Sequence, residues 1–152
     1  MIIRKITKKD QSKVKELIQS IMTEEYPSEK QAYADDDLRD ILATYGGAQD
    51  VFFVSELDGD IIGTVGIKAD TAQCALMRRL FLGKKFRGKG YGLKLVEEAI
   101  SFCRESGYKS IAFRTTDRME GAISLCKKMR FSEAEKIDLG GFRIYKYVYQ
   151  IG

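Results

Sequence analysis

Histidine is absent from this chain of 152 residues. Histidine is the usual general base of nucleophilic triads and the commonest metal ligand in proteins. Its absence argues against a serine hydrolase and against a zinc enzyme. Cysteine is scarce as well: Cys74, Cys103 and Cys126 are odd in number and lie far apart, without a C-x-x-C pair. They predict reduced thiols rather than a disulfide framework, and we expect no bound metal.

Long apolar runs are also missing. No stretch approaches the roughly 20 apolar residues that span a bilayer, and the N-terminal MIIRKITKKDQ lacks the apolar region and cleavage site of a signal peptide. We therefore expect a cytoplasmic protein without a membrane partner. Proline occurs once, and 44% apolar with 32% charged residues argues against disorder. The length is typical of one domain, so residues 1–152 are expected to form a single domain.

Acidic residues are absent from positions 71–96, although the chain as a whole is only mildly basic, with a net charge of +4. This basic segment contains seven cationic side chains: Arg78, Arg79, Lys84, Lys85, Arg87, Lys89 and Lys94. The rest of the chain then carries a net charge of −3. One basic segment on a mildly acidic body favours a local site for a polyanion over a general nucleic-acid surface.

Three alternating glycines, Gly88, Gly90 and Gly92, lie in the basic segment, within the run RRLFLGKKFRGKGYG. Glycine allows backbone conformations that a Cβ forbids, so successive N–H groups can point at one spot. A helical pattern begins near Gly90, and the free N–H groups and positive dipole end of a helix also attract anions. The run predicts a phosphate-binding loop, with a solvated basic turn as the alternative.

The hydrophobic pattern predicts seven strands and four helices. The strands are predicted at 2–6, 51–57, 61–68, 75–82, 110–115, 132–138 and 142–149. The helices are predicted from the Thr7–Asp10 start signal to Ile21, over 34–45, from Gly90 to the Gly107 stop, and from a capping box at Asp117 and Glu120 to Met129. The order β-α-α-β-β-β-α-β-α-β-β indicates the α/β class and a single-domain mixed sheet. The strand at 110–115 follows a helix and is expected to be parallel to the strand at 75–82.

Local signals refine the middle of this sheet. Asp58-Gly59 between two strands predicts a tight hairpin. Gly63 and Gly66 weaken a strand unless another group must approach its backbone closely. Arg78 and Arg79 are adjacent, so they can share a face of the sheet only if a β-bulge intervenes.

Two nucleotide-binding motifs fail in the glycine-rich run. The stretch from Gly83 to Lys89 follows the P-loop pattern G-x-x-x-x-G-K-[ST], but Gly90 replaces the hydroxyl residue that would hold magnesium. The dinucleotide pattern G-x-G-x-x-G fails because the third glycine falls at Gly92, one residue early. ATP, GTP and dinucleotide sites are therefore disfavoured.

The run Arg87-Gly88-Lys89-Gly90-Tyr91-Gly92 does match the pattern R/Q-x-x-G-x-G/A, placed between a strand and a helix. Together with DGDIIGTVGI, LVEEAISFCRESGY and CKKMRF, it resembles the GNAT family of acetyl-CoA-dependent N-acetyltransferases over most of the chain. The resemblance implies a GNAT-like acyl-CoA N-acyltransferase fold, acetyl-CoA as cosubstrate and an amine of a small molecule or peptide as acceptor.

The resemblance also implies roles for individual residues. Loop amides would hold the CoA pyrophosphate, which assigns cofactor binding to Arg87, Gly88, Lys89, Gly90, Tyr91 and Gly92. Backbone groups of Phe81 and Leu82 would pair with the pantetheine arm, where the fourth and fifth strands separate. The reaction would be direct attack of the amine on the thioester in a ternary complex, with the oxyanion stabilised by the Leu82 N–H.

Three positions depart from the family pattern Asn-x-x-Ala and Leu-Tyr-x-x-x-Gly-Phe. Met119 replaces the asparagine, Cys126 the tyrosine that would protonate the leaving thiolate, and Arg130 the glycine. The Cys126 thiol is the candidate acid, and a small buried core cysteine is the alternative. Arg130 suggests a different helix end, since a left-handed conformation is unfavourable for arginine.

The sequence identifies neither the general base nor the acceptor amine. Weak candidates for the base are Glu56, Asp70, Tyr145 and Tyr147. The acidic run 35–37 is expected to be a solvated face, and it suits a cationic amine only if it faces the cleft. A homodimer is a further expectation, with the tyrosine-rich last strand as a sheet edge. A CoA-binding module without catalysis and a basic nucleic-acid-binding domain are alternative functions.

Overall fold

The computed structural model describes residues 1–30 and 34–152. Its strands are β1 (Ile2–Lys5), β2 (Val51–Leu57), β3 (Asp60–Ala69), β4 (Cys74–Leu82), β5 (Ser110–Thr116), β6 (Ser132–Asp138) and β7 (Arg143–Gln150). They form one seven-stranded sheet in the order β1-β2-β3-β4-β5-β7-β6. Neighbouring strands are antiparallel except β4 and β5, which are parallel. The predicted α/β fold with a mixed sheet is confirmed.

The helices are α1 (Gln11–Glu25), α2 (Pro27–Lys30), α3 (Ile41–Thr44), α4 (Tyr91–Glu105) and α5 (Glu120–Lys128). The prediction of one continuous helix over 34–45 is wrong. A single 3-10 turn (Asp36–Leu38) and the four-residue α3 occupy this stretch. The Asp40 carboxylate accepts a hydrogen bond from the Ala43 N–H at 3.2 Å and begins a new helix there.

The two start signals have different outcomes. At the first, the Asp10 carboxylate accepts hydrogen bonds from the N–H (2.7 Å) and the hydroxyl (2.9 Å) of Thr7, just before α1. The predicted capping box at Asp117 and Glu120 is wrong. Asp117 instead accepts a hydrogen bond from the N–H of Arg143 in β7 at 3.1 Å, and α5 begins after Met119 without a side-chain cap.

Both faces of the sheet are buried against helices, because successive strand residues point to opposite faces. Val51 and Phe53 of β2 face α4 and belong to one core cluster. Phe52 and Val54 face α1 and α3 and belong to the other. We call these the α4 face and the α1 face of the sheet.

Close backbone approach explains the two glycines of β3, as predicted. A Cβ on Gly63 would lie 2.6 Å from the Ser55 hydroxyl, and one on Gly66 would lie 2.9 Å from the Tyr45 ring. The Asp58-Gly59 hairpin is also confirmed. Leu57 pairs with Asp60, and both turn residues have positive φ, at 52° and 85°.

A β-bulge interrupts β4. Thr64 of β3 is opposite Phe81 and Gly66 is opposite Arg78, so β4 carries one more residue than β3 in this interval. Arg79 in the bulge has a φ of 53°, and its carbonyl accepts a hydrogen bond from the Thr64 hydroxyl at 2.7 Å. The bulge that the adjacent arginines would need in order to share a face is present.

The tyrosine-rich last strand is not a sheet edge. β7 lies between β5 and β6 and is paired on both sides, so the sequence-based expectation of a β7 edge is wrong. The edges are β1 and β6, and every residue of β6 is exposed. The hairpin that returns from β6 to β7 inserts β7 beside β5.

Candidate active site

The site begins where β4 and β5 separate. The two strands pair from Cys74 opposite Ser110 to Met77 opposite Phe113, and no later rung joins them within the described residues. The β4 bulge follows directly after this last rung. The remainder of β4, up to Leu82, therefore diverges from β5 and leaves backbone groups without a sheet partner.

The Leu82 amide points into this gap. Gly83 donates its N–H to the Ile62 carbonyl of β3 at 2.8 Å. Since N–H groups of successive strand residues point to opposite sides, the Leu82 N–H points away from β3 and toward the diverging β5. The Leu82 carbonyl accepts a hydrogen bond from Arg87 Nε at 2.9 Å, which fixes this part of the backbone.

A cleft of about 400 Å³ extends from the gap along the glycine-rich loop. Six residues that the sequence assigned to cofactor binding line it: Phe81, Leu82, Arg87, Gly88, Gly90 and Gly92. The other two, Lys89 and Tyr91, lie in the same loop but are not among the lining residues. Residues from the end of α1 and from α5 close the opposite wall. We call this cavity the loop cleft.

Two of the three loop glycines have the backbone conformation that requires glycine. Gly88 has a φ of 78° and Gly90 a φ of 85°, and a Cβ on either would meet no protein atom within 4 Å. The space above them is open to a ligand. Gly92 serves packing instead, because it lies in α4 and its Cβ would lie 3.0 Å from the side chain of Leu125.

The start of α4 adds hydrogen-bond donors to the loop cleft. Gly90 precedes the helix without a side-chain cap, and the first intrahelical bond runs from the Lys94 N–H to the Gly90 carbonyl. The N–H groups of the first helical turn have no partner within the helix. Together with the positive end of the helix dipole, they favour an anion in the loop cleft.

Two of the seven basic side chains are already paired. Arg87 forms a two-point ion pair with Glu25 at the end of α1, at 2.5 and 2.8 Å. Arg79 forms a second with Asp37, at 2.6 and 2.9 Å, and both side chains are less than 10% exposed. The full positive charge predicted for the phosphate site is therefore an overestimate.

Asp37 departs from the solvated acidic face that was expected for residues 35–37. Burial alone would raise the pKa of its carboxyl, but the hydrogen bonds and charge of Arg79 and a hydrogen bond from the Tyr45 hydroxyl hold that pKa below its usual value. Asp35 and Asp36 are exposed as expected. The carboxylate of Asp37 is therefore occupied by its ion pair with Arg79 and is not free to bind a ligand.

Cys126 is buried, with 2% of its surface exposed, and it is not among the residues that line the loop cleft. Burial raises the pKa of its thiol to about 12.

Of the weak base candidates, Glu56 pairs with Arg4 across β1 and β2, and Asp70 lies beyond the opposite end of β3. Neither of these two nor Tyr145 or Tyr147 lines the loop cleft.

Sequence reasoning did not identify Glu29 on α2. Its carboxylate is fully buried, Oε2 lies 3.5 Å from the Thr116 hydroxyl, and Arg118 lies 3.6 Å from Oε1. Oε1 makes no hydrogen bond within residues 1–30 and 34–152. The surrounding PSEK is a polar stretch without periodicity, so nothing in the sequence indicates burial.

A second cavity, of about 300 Å³, continues from the loop cleft. Four residues line both cavities: Leu80, Phe81, Met119 and Ala122. Arg78 of β4 and Arg114 of β5 line the second cavity only. We call it the arginine cavity. The two cavities form one groove that passes through the gap between β4 and β5.

Two further features are absent from the described residues. Residues 1–30 and 34–152 contain no group of three or more cysteine, aspartate or glutamate side chains arranged to hold a metal ion. No helix in that part of the chain is long and apolar enough to cross a membrane.

Several known proteins are similar to this chain in sequence. The profile of the acetyltransferase (GNAT) family matches residues 14–131. The uncharacterized N-acetyltransferase YjgM of Escherichia coli (strain K12) is 27% identical over 140 residues, which are 88% of this chain and 83% of that protein. N-acetyltransferase family 8 member 2 of Rattus norvegicus is 31% identical over 103 residues, which are 64% of this chain and 45% of that protein. The chain spans about half the length of the rodent and Xenopus relatives it matches.

Solved structures share the fold. An acetyltransferase of the GNAT family from Staphylococcus aureus Mu50 superposes with a TM-score of 0.83 at 21% identity, over 99% of both chains. The yncA protein of Salmonella typhimurium, solved with its cofactor acetyl-CoA, gives 0.82 at 18% identity, over 99% of this chain and 94% of that one. With this fold, and with a family profile that spans more than half of its length, the chain belongs to the acetyltransferase (GNAT) family.

Proposed function

We propose that residues 1–152 form one N-acetyltransferase domain that transfers the acetyl group of acetyl-CoA to a primary amine of a small molecule or peptide. One observation carries the proposal: a single groove joins an anion-binding loop to a gap between two parallel strands. Such a groove can hold an acyl carrier at one end and admit an acceptor at the other. Family membership supports the same activity.

The loop cleft fits the phosphates of CoA. The open space above Gly88 and Gly90 and the free N–H groups at the start of α4 are the features that a pyrophosphate requires. The Leu82 carbonyl, which faces the gap, would accept a hydrogen bond from an amide of the pantetheine arm. The same role for the backbone of Phe81, which is opposite Thr64 of β3, stays a prediction. When bound, acetyl-CoA supplies an activated thioester. Lys89 and Tyr91 contribute through their backbone amides in this proposal.

The chain's own contribution to the chemistry is orientation and hydrogen bonding. The Leu82 N–H would donate a hydrogen bond to the acetyl oxygen, where negative charge develops during attack. No carboxylate lines either cavity among the described residues. We therefore infer that water removes the proton from the ammonium, and that positioning of the two substrates provides most of the rate enhancement.

Cys126 as the acid that protonates the leaving thiolate stays a prediction. A free thiol has a pKa of about 8.5, so a donor whose pKa is about 12 would transfer its proton uphill to the departing thiolate. Burial of Cys126 supports the alternative of a core residue. The homodimer also stays a prediction, and analytical ultracentrifugation tests it.

The experiment combines titration of CoA by calorimetry with a CoA-release assay against a panel of amines, in wild type and Cys126→Ala. We expect CoA to bind and at least one amine to release free CoA. Turnover that is unchanged in Cys126→Ala over the whole pH range would remove the acid role. Binding without release for any amine indicates a CoA-binding module. Salt-sensitive DNA binding that CoA does not displace would indicate a nucleic-acid-binding domain.

A further inference from the structure

The arginine cavity lies at the end of the groove that the glycine-rich loop does not reach. If the loop cleft holds the carrier, the acceptor amine must approach the gap from the arginine cavity. The side chains of this cavity therefore determine which amines are accepted.

Arg78 and Arg114 stand on the same face of the sheet. They occupy the positions directly after the last β4–β5 rung, Met77 opposite Phe113. Met77 and Phe113 both belong to the core on the α4 face, so the next residue of each strand points to the α1 face. Gly66, which is opposite Arg78, contacts Tyr45 on that same face. The two guanidinium groups thus flank the same stretch of the gap.

Both arginines are available to a ligand. Within residues 1–30 and 34–152, neither forms an ion pair. The buried Asp37 is hydrogen-bonded to Arg79 and to the Tyr45 hydroxyl. No carboxylate lines the arginine cavity in the described chain, so its mouth is cationic.

A third cation, Lys146, lies on the same face of the sheet and forms a row with Arg78 and Arg114. Lys146 of β7 is directly opposite Arg114, and its Nζ lies 3.9 Å from Glu135 of β6. This long ion pair is partly exposed, so it neutralises Lys146 without occupying Arg114. The free positive charge of the row therefore lies at Arg78 and Arg114, next to the gap.

We propose that the acceptor is a small primary amine that also carries a carboxylate, phosphonate or phosphate group, and that Arg78 and Arg114 bind this anion. The inference rests on the proposed acetyltransferase activity and adds the substrate class. Arginine is suited to this task because its fork of donors matches the oxygen atoms of such anions.

The anionic group takes no part in the bond changes. The ammonium loses one proton to water, and its nitrogen then bonds to the acetyl carbon. The C–S bond breaks with its electron pair on sulfur, and the second proton on nitrogen passes to the thiolate, directly or through water. The products are the acetamide, free CoA and one proton in solution. Arg78 and Arg114 only hold the acceptor with its amine toward the gap.

A rival explanation is that the two arginines bind the phosphates of CoA. It predicts that Arg78→Gln and Arg114→Gln weaken CoA binding. Our proposal predicts an unchanged Kd for CoA and a raised KM for the acceptor. Arg114 is exposed, so its replacement does not endanger folding, and Arg104→Gln at the far end of α4 is a matched control for the loss of one positive charge.

The test measures CoA release with paired amines that differ only in the anion: each standard L-amino acid and its amide, and 2-aminoethylphosphonate and ethylamine. In wild type, we expect kcat/KM for the preferred anionic amine to exceed that of its neutral partner by about tenfold or more. Each glutamine variant should lower that preference by about tenfold, while Arg104→Gln keeps it. Calorimetric titration of CoA accompanies every variant.

The outcomes separate this inference from the proposed function. Release of CoA with neutral amines as efficiently as with their anionic partners overturns the inference and leaves the transferase intact. Loss of CoA affinity in Arg78→Gln and Arg114→Gln overturns it in favour of the rival. CoA binding without release for any amine overturns both proposals together.

Discussion

Arg130 has a left-handed backbone conformation, which is energetically unfavourable for arginine. Its φ is 67°, and it follows Met129, the residue that caps the C-terminal end of α5. The Arg130 N–H bonds to the Lys127 carbonyl at 3.2 Å, and the Phe131 N–H to the Cys126 carbonyl at 2.8 Å. This is the Schellman arrangement, which usually has glycine at the left-handed position. The expectation that arginine would change the helix end is therefore wrong, because the two hydrogen bonds and buried Phe131 hold the same end despite the strain.

The replacement Arg130→Gly should stabilise the protein. Glycine removes the left-handed strain, and its larger unfolded-state entropy offsets part of the gain, so we expect the free energy of unfolding in urea to rise by about 1 kcal/mol. Arg104→Gly is the control, because the same exchange inside α4 should lower that energy by about 1 kcal/mol. A loss of stability in Arg130→Gly would show that the arginine side chain contributes more than its backbone strain costs.

At the scale of elements, α4 is flanked by two glycines in the same conformation. Gly90 precedes it and Gly107 follows it, each with a φ of 85° and with no protein atom within 4 Å of a built Cβ. Only Gly90 lines the loop cleft. Substitutions at these two glycines therefore distinguish the loss of stability caused by backbone strain from the loss of affinity caused by blocking a ligand.

Both Gly90→Ala and Gly107→Ala should lower the free energy of unfolding by about 1–2 kcal/mol, since each forces alanine into the left-handed region. Only Gly90→Ala should weaken CoA binding, by about tenfold or more, because its methyl group enters the proposed phosphate seat. Calorimetric titration of CoA and urea unfolding of the two variants measure these effects. An equal Kd for CoA in both would contradict the assignment of the loop cleft.

Element prediction from sequence worked where the signals are local. The Asp58-Gly59 hairpin and α4 depend on neighbouring residues and appear as expected. The prediction of one helix over 34–45 failed because a distant side chain acts together with the Asp40 cap to start α3 at Ile41. Gln11 Oε1 of α1 accepts hydrogen bonds from the N–H groups of Ile41 and Leu42, at 2.7 and 3.2 Å, and fixes the start of α3. Periodicity carries no information about such a contact.

The site shows the same division. The glycine-rich loop depends on local residues, and it lies between β4 and α4 as predicted, whereas the Arg79–Asp37 pair joins residues 42 positions apart. The position of Arg78 and Arg114 side by side at the gap depends on the β4–β5 register, which alternation along each strand does not reveal. The strand order β5-β7-β6 likewise depends on how a hairpin folds back onto the sheet.

At the scale of the whole molecule, the chain should resist changes of pH near neutrality and lose stability in acid. Without histidine, no side chain has an unperturbed pKa between about 5 and 8. Hydrogen bonds from Arg4 hold the pKa of Asp10 below its usual value, and Arg79 does so for Asp37 against the effect of burial. A lowered folded-state pKa contributes stability above the unfolded pKa of about 4, which is lost as the pH falls below it.

We expect the free energy of unfolding in urea to be nearly constant from about pH 5 to 8 and to fall below about pH 4. Asp37→Asn leaves Arg79 buried without a counter-charge and should lower that energy at neutral pH by about 3 kcal/mol. Its further loss in acid should be smaller than in wild type. Asp36→Asn, at a neighbouring side chain that is 82% exposed, should change neither value. Equal acid sensitivity of wild type and Asp37→Asn would contradict the role of this pair.

The bulge in β4 has a consequence in genetic terms. Between Gly66 and Thr64, β3 has one residue where β4 has two, so the gene carries one codon more than a regular ladder needs. Loss of the Arg79 codon would restore regular pairing and keep Phe81 and Leu82 in register with β3. It would also remove the bend that carries β4 away from β5, along with the partner of Asp37. A one-codon deletion would thus make the sheet more regular and remove the bend beside the groove.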